Sequence, residues 1–498
     1  MQHRNPSHSC FYHRCHLHTS DGDIMVIGVL LVASQVQRKG INYKLCEFIL
    51  MSKDLKSFLK AVENEIVYVK HPVDQRYELN AYVDAYEKLK KYPVLYFNNV
   101  NGKVVVTNLF ASIFRMGKAL DCDKCDIPSI ANKFFELSQK ELNPKEVPDS
   151  NFDINTEDLS GLPHIVHNEL DGGPYIDSGL AILKDPDTGA LNMGIYRHQI
   201  FDDKHLGILT DPGHDAQYII EKYKQMGKPV PITISIGHHP AVYFAAVSRP
   251  KGIGGELNMA GGFLQEPLEI TYSNDLDLPY LTRSEIVIEG LIEDPSYLVK
   301  EGPFGEWPKY YSGTQMTPVI TVKRVRSRHD SVYLDIAAAY RDHLNLGVNL
   351  PHLAAVYNYV KSVSPYVKNI RFGYDFAPLL YIQIKKVNEG DAKRAALAAL
   401  SSEIAIRVVI VVDEDVDIYN DEEVMWAVLT RASRETSFTI IPEVIGNILN
   451  PANYSIEGSP RTLDNKIIID ATKPISKFPP VARAPQHLVS KILNELNA

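Results

Sequence analysis

The chain is poor in cysteine, has two tryptophans and contains no long apolar run. Five cysteines in 498 residues are too few for a disulfide-stabilised secreted scaffold, so we expect a reducing compartment, the cytoplasm. The longest uninterrupted apolar run, residues 24–33, is ten residues long, about half of the roughly 20 that a membrane-spanning helix requires. We therefore expect no membrane span.

Excess positive charge is also missing. Lys and Arg number 52 against 61 Asp and Glu, a net charge of −9, and no basic tract is dense enough to neutralise a phosphate backbone. We therefore expect no nucleic-acid partner. The 45% hydrophobic and 23% charged content is ordinary for a globular protein, and the length predicts two or three domains.

Residues 1–50 differ in composition from the rest of the chain. They hold five of the seventeen histidines and three of the five cysteines: His3, His8, His13, His16, His18, Cys10, Cys15 and Cys46. A zinc site built on Cys10, His13, Cys15, His16 and His18 matches none of the usual ligand spacings. A secretory signal is disfavoured because Asp21 and Asp23 precede the apolar run where basic residues belong. We interpret residues 1–50 as a disordered or non-native extension and expect a chain that starts at Met51 to fold as well as the full chain.

The patterns beyond Met51 predict an α/β (α+β) protein. Residues 51–160 combine an amphipathic helix, a hairpin of strands 94–97 and 103–107, and a polar linker, so they predict a mixed α/β unit. Residues 161–330 alternate short strands and turns, which is typical of an antiparallel β-barrel. Residues 331–365 predict a connecting segment with a helix, and residues 366–498 an α/β dimerisation domain. Its last helix carries Leu488, Ile492 and Leu496 on one face, a stripe that we expect to contact a second subunit.

Residues that could carry chemistry concentrate between positions 192 and 306. Asn192 and Arg197 can address one site, and Arg is the natural partner of a substrate carboxylate, although a structural ion pair is an equal alternative. His214 opens a helix, where a cap or surface residue is the plainer reading. The loop that ends at Glu256 resembles a phosphate-binding glycine loop only weakly.

The segment Glu301-Gly-Pro-Phe-Gly-Glu306 is the strongest local signal. Its proline and two glycines hold two carboxylates close together, as acid–base chemistry requires when one acid stays ionised against an arginine and the other carries a proton. The acidic run at residues 413–417 is a rival metal site, for which a solvated turn with capping carboxylates is the plainer alternative. Cys122 and Cys125 lack a second pair and are interpreted as structural.

In this order and spacing, the residues from Asn192 to Arg197, His214, Glu256 and EGPFGE at 301–306 resemble the UbiD-type decarboxylases. The resemblance extends from Met51 to the C-terminus. It implies a split β-barrel related to flavin reductases that binds prenylated FMN, with manganese or magnesium and a potassium ion at the cofactor phosphate. It implies metal ligands at Asn192, His214 and Glu256, a carboxylate-binding Arg197, and acids at Glu301 and Glu306, with Glu306 as the proton donor. The cofactor contacts it implies are Asn192, Met193, Gly194, Ile195, Tyr196, Arg197, Gly213, His214 and Glu256.

The implied reaction is the reversible, non-oxidative decarboxylation of an aromatic or α,β-unsaturated acid, with CO2 as the second product. A cofactor is needed because no side chain can delocalise a carbanion at an sp2 carbon. Leu346 stands where phenolic-acid members can carry a histidine, and Trp307-Pro308 disfavours the hydroxybenzoate step of ubiquinone synthesis. The resemblance also implies a flavin prenyltransferase as cofactor supplier and a homodimer or higher homo-oligomer, with a hexamer possible. A carboxylase, an accessory subunit of an aryl carboxylase complex and an FMN-dependent reductase remain alternatives.

Overall fold

A computed structural model describes residues 53–122, 126–149, 151–210, 213–248, 250, 254–455 and 461–496. The expectations for residues 1–50, including the Cys10 to His18 cluster, fall outside these residues, as does Cys125. Within the described ranges, no helix is both long enough and apolar enough to cross a bilayer.

The N-terminal unit packs helices against a four-stranded sheet. Its elements are α1 (Leu55–Ala61), α2 (Glu78–Lys88), α3 (Ile113–Ala119), α4 (Ile127–Ser138), β1 (Ile66–Val69), β2 (Val94–Val100) and β3 (Lys103–Thr107), with a 3-10 turn at Glu63–Glu65. Helix α1 begins at a capping box, in which the Asp54 side chain accepts from the Ser57 backbone N–H. The predicted hairpin of β2 and β3 is confirmed, and its turn places Gly102 at φ 80°, where glycine is favoured.

The central region is an antiparallel half-barrel with helices and a small sheet beside it. Its strands are β4 (Lys145–Glu146), β5 (Ile154–Thr156), β6 (Tyr175–Ile176), β7 (Leu180–Lys184), β8 (Leu191–Ile195), β9 (His198–Asp202), β10 (His205–Gly207), β11 (Val230–Ile236), β12 (Glu269–Tyr272), β13 (Pro279–Leu281), β14 (Ile286–Ile292), β15 (Leu298–Glu301) and β16 (Gln315–Ser327). Its helices are α5 (Asp215–Gln225), α6 (Pro240–Ala246) and α7 (Glu256–Leu264).

The half-barrel sheet has ten strands. They follow the order β6-β9-β10-β16-β14-β11-β7-β8, and β5 and β15 also pair with the long strand β16. Strands β13, β12 and β4 form the small separate sheet. Buried alternate residues of β11 and β14, such as Ile234 and Ile288, contribute to the apolar core of the half-barrel.

The chain then returns to the N-terminal sheet before it enters the C-terminal domain. Strand β17 (Val332–Leu334) pairs in parallel with β3 and completes the sheet order β1-β2-β3-β17. Helix α8 (Arg341–Leu344), a π-helical turn (Asn345–Asn349) and α9 (Leu350–Val363) follow. Helix α9 packs on α4, so the connecting segment joins the N-terminal unit to the C-terminal domain.

The C-terminal domain alternates helices and strands, as predicted. Its elements are β18 (Val367–Phe372), β19 (Leu379–Ile384), α10 (Asp391–Ser402), β20 (Val408–Asp413), α11 (Asp421–Arg431), β21 (Phe438–Gly446), β22 (Tyr454–Ser455), β23 (Thr462–Ala471) and α12 (Gln486–Leu496), with 3-10 turns at Gly373–Asp375 and Glu435–Ser437. The sheet order is β18-β19-β20-β23-β21, and β19, β20 and β23 run in parallel. One continuous apolar core includes residues of the N-terminal unit, the central helices and this domain, from Leu55 to Ile468.

Candidate active site

Arg197 lies at the turn between β8 and β9 and contacts both predicted acids. Its Nε donates to Glu301 Oε1 at 3.0 Å and its Nη2 to Glu301 Oε2 at 2.8 Å. Its Nη1 donates to Glu306 Oε1 and, at 3.2 Å, to Ser312 Oγ. The side chains of Arg197, Glu301 and Glu306 are 9%, 0% and 12% exposed. The structure therefore brings together all three residues that the sequence singled out for acid–base chemistry.

The charge of Arg197 is well compensated. Burial opposes the cationic form, but the Glu301 hydrogen bonds and the Glu306 and Glu301 charges outweigh it and raise the pKa of Arg197 above its usual value. The guanidinium carbon also lies 4.9 Å from the centroid of the Phe304 ring, within the range of a cation–π contact. Two carboxylates share one guanidinium, so this cluster can release one carboxylate without losing its ion pair.

Glu301 and Glu306 belong to different parts of one hairpin. Glu301 is the last residue of β15 and pairs with Gln315 of β16. Gly302 follows at φ 86°, a left-handed conformation that favours glycine. The Glu306 N–H donates to the Tyr310 carbonyl at 2.9 Å, so Glu306 lies on the loop that connects the two strands. Glu301 is held by the sheet, whereas Glu306 is held by a loop.

Asn192 and Glu256, predicted to share a site, are in contact. The Asn192 Nδ2 donates to Glu256 Oε1 at 3.3 Å, and the Met193 N–H lies 3.4 Å from Glu256 Oε2. Glu256 is the first residue of α7 and is 4% exposed. Burial raises the pKa of Glu256 to about 7, against the lowering effect of backbone hydrogen bonds from Glu256 itself and Met193.

His214 lies next to this pair across an aromatic ring. It precedes the first residue of α5, and its ring centroid is 6.5 Å from that of Tyr196. The Tyr196 hydroxyl in turn donates to Asn192 Oδ1 at 3.3 Å. Tyr196 therefore links His214 to the pair of Asn192 and Glu256, and Asn192 and Glu256 are in direct hydrogen-bond contact.

The donor chemistry of this group suits a hard divalent cation. Asn192 offers an amide oxygen, Glu256 a buried carboxylate and His214 an imidazole nitrogen, a set that matches manganese or magnesium better than a thiolate-binding metal. The nearby Asp215 charge raises the pKa of Glu256 further. A bound cation would offset this accumulation of negative charge. Among the described residues no cluster of three or more His, Cys, Asp and Glu side chains forms a metal site.

The remaining predicted cofactor contacts lie on β8 and beside α5. Met193 is buried, and at Gly194 a Cβ atom would lie 2.6 Å from the Tyr196 hydroxyl oxygen. Ile195 ends β8, and Gly213 precedes His214 at φ 96°. Asn192 on β8 and Arg197 in the turn that follows therefore bring the candidate metal ligands and the candidate acid–base residues to one strand.

Near Arg197, the side chains of Tyr175 and His343 carried no signal in the sequence, and Phe304 stood out only as part of the 301–306 segment. Tyr175 and Phe304 have ring centroids 4.7 Å apart, and the Phe304 and His343 centroids are 6.3 Å apart. Burial, then the Arg197 and His167 charges, lowers the pKa of His343 to about 4, so this imidazole is neutral near pH 7. The wall beside Arg197 is therefore aromatic. Only the fold brings residues 175, 304 and 343 together, so no local sequence pattern could have predicted this aromatic wall.

The acidic run at residues 413–417, the alternative candidate for a metal site, forms ion pairs with basic side chains. Arg431 Nη1 lies 2.6 Å from Asp413 Oδ2 and 2.9 Å from Asp415 Oδ1, and Lys473 Nζ lies 3.1 Å from Asp415 Oδ2. Asp413 and Asp415 therefore neutralise a buried arginine instead of facing an open metal site. Cys122 is a free, partly buried thiol.

Comparison with known proteins identifies close relatives over nearly the whole described chain. Three family models, described as the N-terminal, Rift-related and C-terminal domains of 3-octaprenyl-4-hydroxybenzoate carboxy-lyase (UbiD), match residues 59–133, 141–340 and 348–471. A phenolic acid decarboxylase of Sedimentibacter hydroxybenzoicus is 33% identical over 460 residues, which cover 86% of this chain and 93% of the relative.

Two solved structures share the fold. The UbiD-class enzyme HmfF of Pelotomaculum thermopropionicum, in complex with FMN, has a TM-score of 0.80 and 30% identity, over 89% of this chain and 99% of HmfF. An evolved dimeric form of HmfF in complex with prenylated FMN has a TM-score of 0.77 and 29% identity, over 88% of this chain and 98% of that one.

Proposed function

The chain belongs to the UbiD family of carboxy-lyases, and from that premise we propose that it removes CO2 from an aromatic or α,β-unsaturated carboxylic acid with prenylated FMN as cofactor. The observation that carries the proposal is the buried Arg197, held between Glu301 and Glu306 at the end of β8. Bound in the half-barrel, prenylated FMN would supply the electron sink that this decarboxylation requires and that side chains lack.

Arg197 binds and orients the substrate carboxylate. Its guanidinium is permanently charged and presents paired N–H donors, the geometry that suits a carboxylate. The contact with Glu301 engages both oxygens of that acid. Arg197 Nη1 donates to Glu306 and Ser312 in this structure. On this side of the guanidinium, a substrate carboxylate can replace Glu306 or bind beside it.

When the substrate carboxylate takes its place on Arg197 Nη1, the Glu306 carboxylate leaves the ion pair, takes up a proton from solvent and donates it to the carbon that loses CO2. Glu301 is fully buried and uses both oxygens on Arg197, so moving it would break a buried ion pair, which is costly. The Glu306 side chain is 12% exposed and holds Arg197 through one oxygen, so its carboxyl can rotate toward the substrate while Glu301 keeps Arg197 neutralised. In the carboxylation direction, which the same residues permit, Glu306 would accept that proton.

Asn192, His214 and Glu256 would hold a divalent cation, manganese or magnesium, that neutralises the phosphate of the bound cofactor. We assign the cofactor contacts to the same run, from Asn192 to Arg197 with Gly213, and assign the half-barrel to the split-barrel type of flavin reductases. The buried Glu256 carboxylate and the Asn192 amide in contact with it support the assignment. We propose that the activity also requires a potassium ion at the cofactor phosphate and a flavin prenyltransferase that supplies the prenylated FMN.

Substrate selection rests on the aromatic wall. Phe304 packs against the Arg197 guanidinium and Tyr175 packs against Phe304, so aromatic side chains adjoin the group that binds the carboxylate, which suits a flat, conjugated acid. The relative from S. hydroxybenzoicus is a phenolic acid decarboxylase, but Leu346 is apolar and buried here and cannot receive a phenol group by hydrogen bonding. The substrate class is therefore an aromatic or α,β-unsaturated acid that needs no such contact.

We propose that the protein acts as a homodimer or a higher homo-oligomer, including a hexamer, in the cytoplasm. Large apolar side chains are exposed on the edge strand β21, at Phe438 and Ile440, and on α12, at Leu488, Ile492 and Leu496. An apolar edge strand and helix stripe of this kind favour a partner surface. One of the similar HmfF structures is a dimeric form.

The test is production of the protein together with a flavin prenyltransferase. We expect the purified protein to carry a flavin whose mass and absorbance are those of prenylated FMN, and to release CO2 from at least one member of a panel of cinnamic-type, aryl and heteroaryl acids. The same protein produced without the prenyltransferase is the control. Equal CO2 release with unmodified FMN would refute the need for prenylated FMN, and NAD(P)H oxidation without CO2 release would replace the proposal with a flavin reductase.

A further inference from the structure

The loop that carries Glu306 is fastened to a distant segment of the chain. We call residues 302–312 the acid loop and residues 170–172 the bracket. The Gly305 N–H donates to Asp171 Oδ1 at 2.9 Å, and the Gly172 N–H donates to the Pro303 carbonyl at 2.7 Å. The Leu170 N–H donates to the Tyr311 hydroxyl at 3.1 Å. Three successive bracket residues thus bind the acid loop. One of these contacts, from Asp171, is to Gly305, the residue that precedes Glu306.

Asp171 is the side chain that joins the two segments. One of its oxygens accepts from Gly305, and the other accepts from the Asn168 N–H at 2.8 Å. Burial raises the pKa of Asp171, while the charge of His167 and the hydrogen bonds from Asn168 and Gly305 lower it. His167 is buried, and its Nε2 lies 2.8 Å from Asp335 Oδ1. Burial lowers the pKa of His167, but the charges of Asp177 and Asp335 outweigh it and raise that pKa to about 10.

The acid loop and the bracket pack without spare room. A Cβ atom on Gly172 would lie 2.3 Å from the Gly302 carbonyl oxygen, and one on Gly305 would lie 2.4 Å from Asn168 Nδ2. Gln199 closes the contact from the other side, because its Nε2 donates to the Gly172 carbonyl at 2.8 Å and its Oε1 accepts from Gly302 at 2.9 Å. Close packing of this kind limits the positions that the loop can adopt.

We propose that Asp171 is a positioning residue that fixes the acid loop and thereby holds the Glu306 carboxyl at the carbon to be protonated. The inference rests on the proposed function in that it takes Glu306 as the proton donor. It does not make Asp171 part of the chemistry, because its contact is with the backbone of Gly305. A donor displaced by about 1 Å can lose on the order of 10²-fold in rate, so the bracket determines how effective Glu306 is.

Three variants test the proposal: Asp171→Ala, Asp171→Asn and the control Glu169→Gln. Glu169 is exposed and two residues away, so its substitution removes the same charge without touching the acid loop. We expect Asp171→Ala to lower kcat roughly 10- to 100-fold with KM changed by less than about 2-fold. Asp171→Asn keeps one oxygen for the Gly305 N–H and should recover part of the rate. Glu169→Gln should match the wild type.

Two further measurements separate positioning from general damage. In the Glu306→Gln background, Asp171→Ala should lower kcat little further. The glutamine side chain at position 306 of that variant cannot donate a proton, so its displacement does not slow the reaction any more. Hydrogen exchange of the acid-loop amides, measured on protein without cofactor, should speed up at least 10-fold in Asp171→Ala and stay unchanged in Glu169→Gln. Thermal unfolding of each variant shows whether its fold is intact. If Asp171→Ala unfolds, the kinetic and exchange measurements on the folded Asp171→Asn variant decide the test.

The outcomes distinguish this inference from the function on which it rests. Losses that multiply in the double variant, or acid-loop exchange equal to wild type in Asp171→Ala, would overturn the positioning role. Full turnover by Glu306→Gln would instead refute the donor assignment and with it the link from Asp171 to Glu306. The exchange measurement then shows separately whether the bracket holds the loop.

Discussion

Replacing Glu306 by Gln removes the carboxyl group that takes up and transfers the proton, and changes little else. Gln keeps the shape of the side chain and one oxygen that can accept from Arg197 Nη1, while both Glu301 contacts of Arg197 persist. The stability loss is the difference between a charge-assisted and a neutral hydrogen bond, about 1 kcal/mol. We expect a folded enzyme that retains cofactor and metal.

The loss in rate should be much larger than the loss in stability. A general acid contributes on the order of 10²- to 10⁴-fold, which corresponds to about 2.7 to 5.5 kcal/mol of activation free energy. Arg197 still binds the carboxylate, so KM should change little and the effect should appear in kcat. An activation penalty several times the stability penalty is the signature of a group that acts in the transition state.

The assay measures CO2 release by the loaded enzyme and, in D2O, deuterium at the carbon that lost CO2. Wild-type enzyme should place one deuterium there, and Glu306→Gln should form almost no labelled product. Glu293→Gln, the same change at an exposed carboxylate paired with Lys323, is the control and should behave as wild type. Decarboxylation and deuteration by Glu306→Gln at near wild-type rates would refute the argument and make Glu301 the better donor.

Local patterns predicted the local structure well. The hairpin of β2 and β3 follows from its Asn-Gly turn, and the helix–strand alternation beyond residue 366 follows from apolar periodicity. The fourth strand of the N-terminal sheet was not predicted, because β17 pairs with β3 from more than 200 residues away. A three-residue apolar strand with a distant partner carries no local signal of that pairing.

The candidate site shows the same limit. The sequence pointed to Arg197, Glu301 and Glu306, and the fold brings them together. It could not indicate that Glu301 binds through two oxygens from a strand end while Glu306 sits on a loop, a difference that decides which acid can move. The bracket was also invisible, because Asp171 lies in an ordinary polar turn until the acid loop packs against it.

Three further predictions address binding and assembly. Arg197→Ala should raise KM as well as lower kcat, and should destabilise the fold by about 3–5 kcal/mol because Glu301 is left buried and unpaired; an unchanged KM in steady-state kinetics would contradict its role in carboxylate binding. His214→Ala should release metal and flavin together, measured by elemental analysis and absorbance after dialysis, and full flavin occupancy without metal would contradict the shared site. Ile492→Glu should dissociate the oligomer in light scattering. Each apolar side chain buried from the α12 stripe contributes about 1.5–3 kcal/mol, and a charge at its centre costs more than that gain. Ser490→Glu places the same charge on another face of the helix and should leave assembly intact. Equal masses for these two variants would show that the stripe does not form the interface.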